Sequence, residues 1–372
     1  MIKKIGFVLL SCMSISTAQA AGFASTGYSA SGIGVANAVV AGAEDVSAAA
    51  YNPAGLAWQD DMQVMLGFIM QYRNSSVDLG PASGVGSNLG SAPNLSHFYY
   101  SWMPRESNLG LSVAFNRPYE MDNDWSRVFP GTAGRSTLRM DRLSLDAIYR
   151  LNSTMAFSVG GDWYLSTATM SQGAQTFSGK GKTSFGGHAS MKWKPAPTWS
   201  VGALLRLGSS IKLSGGVDQS MKIKLPDELT VGVAHDMADA VRLEIDANWS
   251  RWSKLKNLNV LTGTTVTQSN VLDLKDSLSL MAGLTWFWRE NSQFRFGYAY
   301  EKGANSDSLF HPAIADQTGH KLSLGAGGSI FGAHFDLAYA YTFYPKSTVT
   351  GPFAGIYNDR RQSLALSVSK GF

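Results

Sequence analysis

The stretch Val241-Arg242-Leu243-Glu244-Ile245-Asp246-Ala247-Asn248-Trp249-Ser250 alternates apolar and polar residues without a break. In an extended strand the side chains at i, i+2 and i+4 share one face. Val241, Leu243, Ile245, Ala247 and Trp249 therefore form one greasy row, and Arg242, Glu244, Asp246 and Asn248 form a charged row opposite. A helix would scatter these charges all round its axis, so the period of two decides for strand. The rows recur. Phe335, Leu337, Tyr339, Tyr341 and Phe343 alternate with Asp336, Ala338, Ala340 and Thr342, and Leu364, Leu366 and Val368 alternate with Ser363, Ala365, Ser367 and Ser369.

Fourteen such segments follow one another, at about 61–72, 94–103, 107–117, 139–151, 154–168, 182–194, 198–210, 228–237, 240–252, 272–289, 292–302, 319–330, 332–344 and 361–372. Most are long enough for a tilted strand of about 9–11 residues to cross a bilayer. The number is even, as hairpin closure of a bacterial barrel requires. Their connections alternate in length. Long ones fall at 73–93, 118–138, 169–181, 211–227, 253–271, 303–318 and 345–360; between them lie short turns such as Asn152-Ser153 and Pro195-Ala196-Pro197. Short periplasmic turns and long outer loops are the barrel rule, so both termini are expected in the periplasm of a bacterial outer membrane.

Composition agrees. Only 16% of residues are charged, against roughly 25% in soluble domains. After the N-terminal segment no run of 18 apolar residues exists, which excludes helical spans. The 18 Phe, 14 Tyr and 10 Trp gather toward segment ends, among them Trp102, Tyr149, Trp193, Trp199, Trp249, Trp252, Trp286, Trp288 and Tyr344, as interfacial girdles would. The fold class is thus all-β: a 14-stranded antiparallel transmembrane β-barrel over residues 59–372.

Residues 1–20 read as an export signal: Lys3 and Lys4, an apolar run from Ile5 to Leu10, then the small-x-small site Ala18-Gln19-Ala20. Leu9-Leu10-Ser11-Cys12 loosely resembles a lipidation box, but the better cleavage site lies downstream. Cys12, the only cysteine, would leave with the signal, so no disulfide or thiolate metal site is expected. Without Lys3 and Lys4 the balance is 29 basic against 27 acidic residues, no electrostatic footprint for nucleic acid. No cofactor is implied. The histidines lack metal-ligand spacing, and Gly32-Ile33-Gly34 has Asn37 where a dinucleotide site needs its third glycine.

Residues 21–58 are rich in Gly, Ala and Ser, carry only Glu44 and Asp45 as charges, and have too few large apolar groups to fold alone. They are expected to form an N-terminal hatch inside the lumen, with a short helix near Val46–Ala50 that ends at Asn52-Pro53. Here the chain resembles the FadL-type long-chain fatty-acid and aromatic-hydrocarbon channels. The resemblance rests on Ala21-Gly22-Phe23, Ser29-Ala30-Ser31-Gly32-Ile33-Gly34 and Tyr51-Asn52-Pro53-Ala54-Gly55-Leu56. Leu225-Pro226-Asp227-Glu228, Trp249-Ser250-Arg251-Trp252, Pro312-Ala313-Ile314-Ala315-Asp316 and Ser323-Leu324-Gly325 agree with it.

The resemblance implies a hatch-plugged barrel that admits hydrophobic small molecules passively and releases them sideways, past a kink in the third strand. It assigns the hatch and gating role to Asn52, Pro53 and Ala54, with Ala21, Gly22 and Phe23 at the mobile end; Asn116-Arg117-Pro118 is the candidate third-strand distortion. Outer-membrane lipid and lipopolysaccharide are the implied surroundings. In one respect the chain departs from the family: loops 169–181 and 211–227 read as short and polar, with Lys180, Lys182, Lys212, Lys222 and Lys224, which points away from the usual greasy capture groove and toward a smaller or aromatic substrate.

By phase, Arg142, Asp146, Arg150, Lys192, Arg206, Arg242, Glu244, Asp246, Arg295, Glu301, Lys321 and Asp336 face the lumen; on the lipid side an Arg or Lys at mid-bilayer would cost about 2–4 kcal/mol. Most of these charges are expected to pair with each other and the plug. Arg206, Arg295, Lys321 and Arg142 are the candidates for holding a ligand carboxylate. His188 and Ser190 share a face like a hydrolytic base and nucleophile, but no orienting Asn is identifiable, so an enzyme is not expected. The competing readings are a surface-interaction barrel whose outer loops bind a partner, and an open aqueous porin.

Overall fold

A computed structural model describes residues 23–91, 94–237, 240–289, 291–305, 311–312 and 318–372. The expected signal segment and the motif residues Ala21 and Gly22 lie outside the described residues, as does most of Pro312–Asp316. In chain order the strands are β1 (Asp61–Asp78), the short β2 (Val85–Ser87), β3 (Leu95–Met103), β4 (Leu109–Asp124), β5 (Arg135–Arg150), β6 (Met155–Gln172) and β7 (Gln175–Gly181). There follow β8 (Ser184–Ala196), β9 (Trp199–Leu207), β10 (Ser210–Ser214), β11 (Gln219–Lys224), β12 (Glu228–Met237), β13 (Val241–Ser250), β14 (Asn257–Thr262) and β15 (Thr265–Val271). The last are β16 (Ser277–Arg289), β17 (Ser292–Glu301), β18 (Gly319–Ile330), β19 (Ala333–Phe343), β20 (Ser347–Val349) and β21 (Gly355–Gly371).

Among the described residues fourteen of these form a closed antiparallel ring: β1, β3, β4, β5, β6, β8, β9, β12, β13, β16, β17, β18, β19 and β21. The last strand pairs with the first, from Gln63↔Gly371 to Asp78↔Ile356, which removes every sheet edge. The alternation read from the sequence holds face by face. On β5, Leu143, Leu145 and Tyr149 are exposed, while Arg142, Ser144 and Asp146 are buried. Every lumen-facing charge assigned by phase points inward. The β18–β19 turn takes two positive-φ residues, Phe331 and Gly332 (φ 52° and 73°), the left-handed pair that tight hairpins favour.

Two expectations are corrected. Trp252 and Tyr344 do not join a girdle. The strand ends at Ser250 and a short 3-10 turn, Trp252–Lys254, swings Trp252 inward, where it is 1% exposed; Tyr344 lines the lumen. Phase cannot be carried past the end of a strand. Nor are loops 169–181 and 211–227 merely polar. The strands run beyond the apolar girdle as hairpins, and there the polarity of the two faces reverses. Phe177, Ile211, Leu213, Met221 and Ile223 turn inward and are buried, while the lysines face out. The β7, β10, β11 and β14 strands pair side by side and extend the wall on one side of the barrel. Their inner residues pack with Tyr119, Leu138, Met140, Tyr164, Met170, Leu258 and Val260 into one apolar lining.

Residues 23–58, the expected hatch, lie inside the ring. They hold two helical turns, Ala30–Gly34 and Ala48–Tyr51, and a 3-10 turn, Pro53–Trp58. Ala48, Ala49, Ala50, Ala54, Leu56 and Ala57 are almost fully buried against Met65, Tyr99, Ala114, Ile148 and Ala156. The small side chains let the hatch backbone approach the wall closely.

Candidate functional site

The wall meets the hatch halfway. Gly202 and Gly232 are cross-strand partners, as are Gly283 and Gly297, and all face inward. A Cβ on Gly202 would collide with the Val40 carbonyl, one on Gly297 with the Ala36 backbone, and one on Gly283 would lie 2.7 Å from the Val35 Cβ. This glycine floor is what lets segment 34–41 lie flat on the barrel wall. The sequence reading missed it, since a glycine in a strand leaves a gap in the alternation and carries no sign of what fills it.

Two carboxylates fasten the same segment. Asp246 Oδ2 accepts from the amides of Val39 and Val40 at 2.8 and 2.9 Å, and Glu244 Oε1 accepts from those of Ala41 and Gly42 at 2.7 and 3.0 Å. Toward the short-turn rim, Arg242 bonds the Gly42 carbonyl at 2.8 Å and lies 3.3 Å from Glu44. Burial alone would raise the Glu44 carboxyl, but the Arg242 and Lys192 cations outweigh it and hold it below the ordinary glutamate value. Asn52 donates to the carbonyls of Val40 (2.6 Å) and Met191 (3.0 Å), and the Ala54 amide donates to Ser190 Oγ at 3.1 Å. The Asn-Pro-Ala segment is thus bonded to β8, the sixth barrel strand.

The third barrel strand, β4, is distorted where Asn116 and Pro118 were singled out. Its register against β5 slips between Asn116↔Arg142 and Tyr119↔Met140. Among the described residues its ladder with β3 stops at Phe98↔Phe115, although β3 begins at Leu95. Pro118 has no N–H to continue it. The start of the hatch occupies this stretch instead: Ser25 N donates to the Pro118 carbonyl (2.9 Å) and Glu120 N to that of Phe23 (2.8 Å). Phe23 packs edge-on against Trp252 and Tyr119, with ring centroids 4.9 and 5.9 Å away.

Beneath this aromatic cluster lies a cavity of about 150 Å³, bounded by hatch residues Ala24–Tyr28, Asn37 and Tyr51. Arg142, Arg206 and Lys321, three of the four sequence candidates, converge on it. The fourth does not: Arg295 is ion-paired to Asp336 at 2.6 Å and faces a second cavity of about 180 Å³ on the opposite, short-turn side of the hatch. Arg206 is paired with Asp162, which lies 4.0 Å from Arg142; Lys321 bonds Glu301 at 2.5 Å. Around this cavity, Nε and Nη2 of Arg142 and Nη2 of Arg206 are buried and make no hydrogen bond. Arg142 is 1% exposed, so its guanidinium is held inside the protein with hydrogen-bonding capacity to spare. His188 has Asp146 at 2.5 Å on Nε2 and Asp162 at 3.2 Å on Nδ1. Neither ring nitrogen is left to take a proton from Ser190, whose hydroxyl contacts Ser158 at 2.6 Å.

The fold has solved relatives. A Pseudomonas aeruginosa FadL homologue superposes with a TM-score of 0.83 at 18% identity, covering 95% of this chain and 100% of its own. The P. putida toluene transporter TodX gives 0.71 at 14% identity over 93% of this chain and 99% of its own, and the Ralstonia pickettii toluene transporter TbuX gives 0.66 at 14% over the same shares. No curated protein matches by sequence. A family profile described as outer membrane protein transport protein (OMPP1/FadL/TodX) matches residues 11–205 and 172–363. Those two matches span nearly the whole chain, and the chain belongs to this family of outer-membrane transport barrels.

Proposed function

We propose that the barrel is a passive, hatch-gated conduit for hydrophobic compounds, and that its preferred cargo is a small hydrophobic carboxylate, an aromatic or fatty acid. The hairpin end faces the exterior, and both termini lie in the periplasm. Cargo partitions from the lipopolysaccharide layer onto the apolar inner face of the hairpins, passes the Phe23–Tyr119–Trp252 cluster, and seats its carboxylate on Arg142 and Arg206. Displacement of residues 23–25 from β4 then opens a sideways path beside Pro118. The single observation that carries this reading is the greasy hairpin lining set directly over a cavity with unsatisfied guanidinium donors. At about 150 Å³ the cavity is the size that holds a benzene ring. Two of the structural relatives, TodX and TbuX, are toluene transporters, whose cargo is an aromatic ring of that size.

Uptake of a labelled aromatic acid and of toluene is the test, in cells lacking other such channels. Cells making the wild-type chain take up both, the acid more efficiently. Asn52→Ala with Pro53→Ala lowers both without preventing assembly. Equal uptake with and without the chain overturns the proposal.

A further inference from the structure

Outside the lumen the hairpins carry a second feature. Residues 171–224 contain Lys180, Lys182, Lys212, Lys222 and Lys224 on β7, β10, β11 and their flanks, and Asp218, at a hairpin tip, is their one acidic residue. All five ammonium groups are on exposed residues of the outward face. Lys212 lies directly opposite Lys222, and on its other side Lys182 N bonds the Lys212 carbonyl at 3.0 Å. Three lysines thus stand in one row across adjacent strands. Like charges directly opposite in a sheet are destabilising. Among the described residues none of the five makes an ion pair, whereas elsewhere on this end Lys256 and Lys275 flank Asp273 at 2.7 and 2.8 Å and Arg135 meets Asp122 at 3.0 Å.

The height of the row is set by the girdle. Leu165, Phe185 and Leu207, all more than half exposed, are the last outward apolar residues below it. Lys182 precedes Phe185 by three residues and Lys212 follows Leu207 by five, so the ammonium groups sit roughly 7–12 Å above the hydrocarbon edge, given about 3.3 Å per residue and a tilt near 40°. That is the headgroup zone. The apolar inner face of the same strands separates the lysines from the lumen, so they do not hold cargo.

We infer that this row is a binding site for the phosphate groups of an outer-leaflet glycolipid, lipopolysaccharide, docked against the outer wall of the β7–β10–β11 hairpins. It rests on the proposed orientation of the barrel, with the hairpins outermost. The occupant supplies the counter-charge that the protein lacks, and its acyl chains continue down the exposed Leu165, Phe185 and Leu207.

The test uses purified full-length mature protein in detergent and a purified, doubly phosphorylated lipopolysaccharide as the probe, with retention read by native mass spectrometry and affinity by titration. Each lysine beside an anionic surface contributes about fivefold. Lys182→Gln/Lys212→Gln/Lys222→Gln is expected to weaken binding on the order of a hundredfold and leave the fold intact, judged by heat-modifiable gel migration. Enzymatically dephosphorylated lipopolysaccharide should bind the wild type as weakly as the intact lipid binds the variant, and millimolar inorganic phosphate should not compete. Equal binding by wild type and folded variant overturns the site, and so does full competition by free phosphate, which would mark an unspecific anion patch. Orientation is checked separately with Ser214→Cys: labelling by a membrane-impermeant thiol reagent on whole cells is required, and its failure would sink the orientation whatever the lipid result.

Discussion

Asp246→Ala removes one of the two carboxylates that hold hatch segment 39–42, and its effect can be worked out from the geometry. The substitution strips the Val39 and Val40 amides of a shared acceptor at 2.8 and 2.9 Å. Leaving a buried amide without its acceptor costs about 1–3 kcal/mol, so the dry-limit loss for the two is roughly 2–6 kcal/mol. Water entering from the lumen re-satisfies part of this, and about 2–3 kcal/mol is the expected net effect. That corresponds to about a 30- to 150-fold rise in the population with the hatch displaced. Single-channel recording in planar bilayers reads this as open probability, and hydrogen exchange reads it at the amides of residues 39–42. Asp246→Asn, which keeps an acceptor oxygen, should fall in between. A folded Asp246→Ala barrel as quiet as wild type, with unchanged exchange at Val39 and Val40, would refute the latch.

Three further outcomes are expected. Gly297→Val drives a side chain into the Ala36 backbone, so it should dislodge the hatch and raise conductance while the ring, whose ladder it does not touch, keeps its heat-modifiable gel shift. Arg142→Met, which leaves Asp162 its Arg206 partner, should weaken binding of an aromatic acid by about 10- to 100-fold, the worth of a charge-assisted bond, and leave toluene binding unchanged in calorimetry. The Glu44 link to Arg242 depends on pH. A carboxyl held below its ordinary value of 4.5 stabilises the hatch above that value and loses its contribution as pH falls through it toward the folded value. Protease nicking of the hatch should therefore increase on acidification below about pH 4.5, and Glu44→Gln should nick equally at all pH values; because the side chain is half exposed, the effect is modest.

The ring was legible because bilayer and lumen impose opposite demands on successive residues, and residues such as Leu243 and Glu244 obey both. Legibility fails where those demands change. Ile211 and Lys212 keep the alternation, but beyond the girdle the greasy side turns inward, so a reading tuned to lipid saw only the lysines. Trp252 was lost because it opens a turn two residues past the end of its strand, where the alternation no longer holds. In the lumen, phase named the four basic candidates correctly as inward. It could not tell Arg295, which is hydrogen-bonded to Asp336, from Arg142, whose Nε makes no hydrogen bond, because the Arg295 pairing depends on a neighbour 41 residues away in sequence.

The way the hatch is held follows from what it must do. A plug fastened by large apolar side chains would leave a greasy lumen when it moved, at about 25 cal/mol for every Å² exposed to water. Here the attachment along 34–42 is glycine against backbone, with amides on carboxylates. Water can replace such bonds one at a time, so displacement needs no large exposure of apolar surface. An aromatic anchor, Phe23 between Tyr119 and Trp252, sits on the hairpin side, where the proposed route would let a hydrophobic ligand take its place. If that is the trigger, Phe23→Ala should raise the open probability without cargo and abolish its further rise when an aromatic acid is added. A variant that still opens further on addition of the acid would show that cargo acts elsewhere on the hatch.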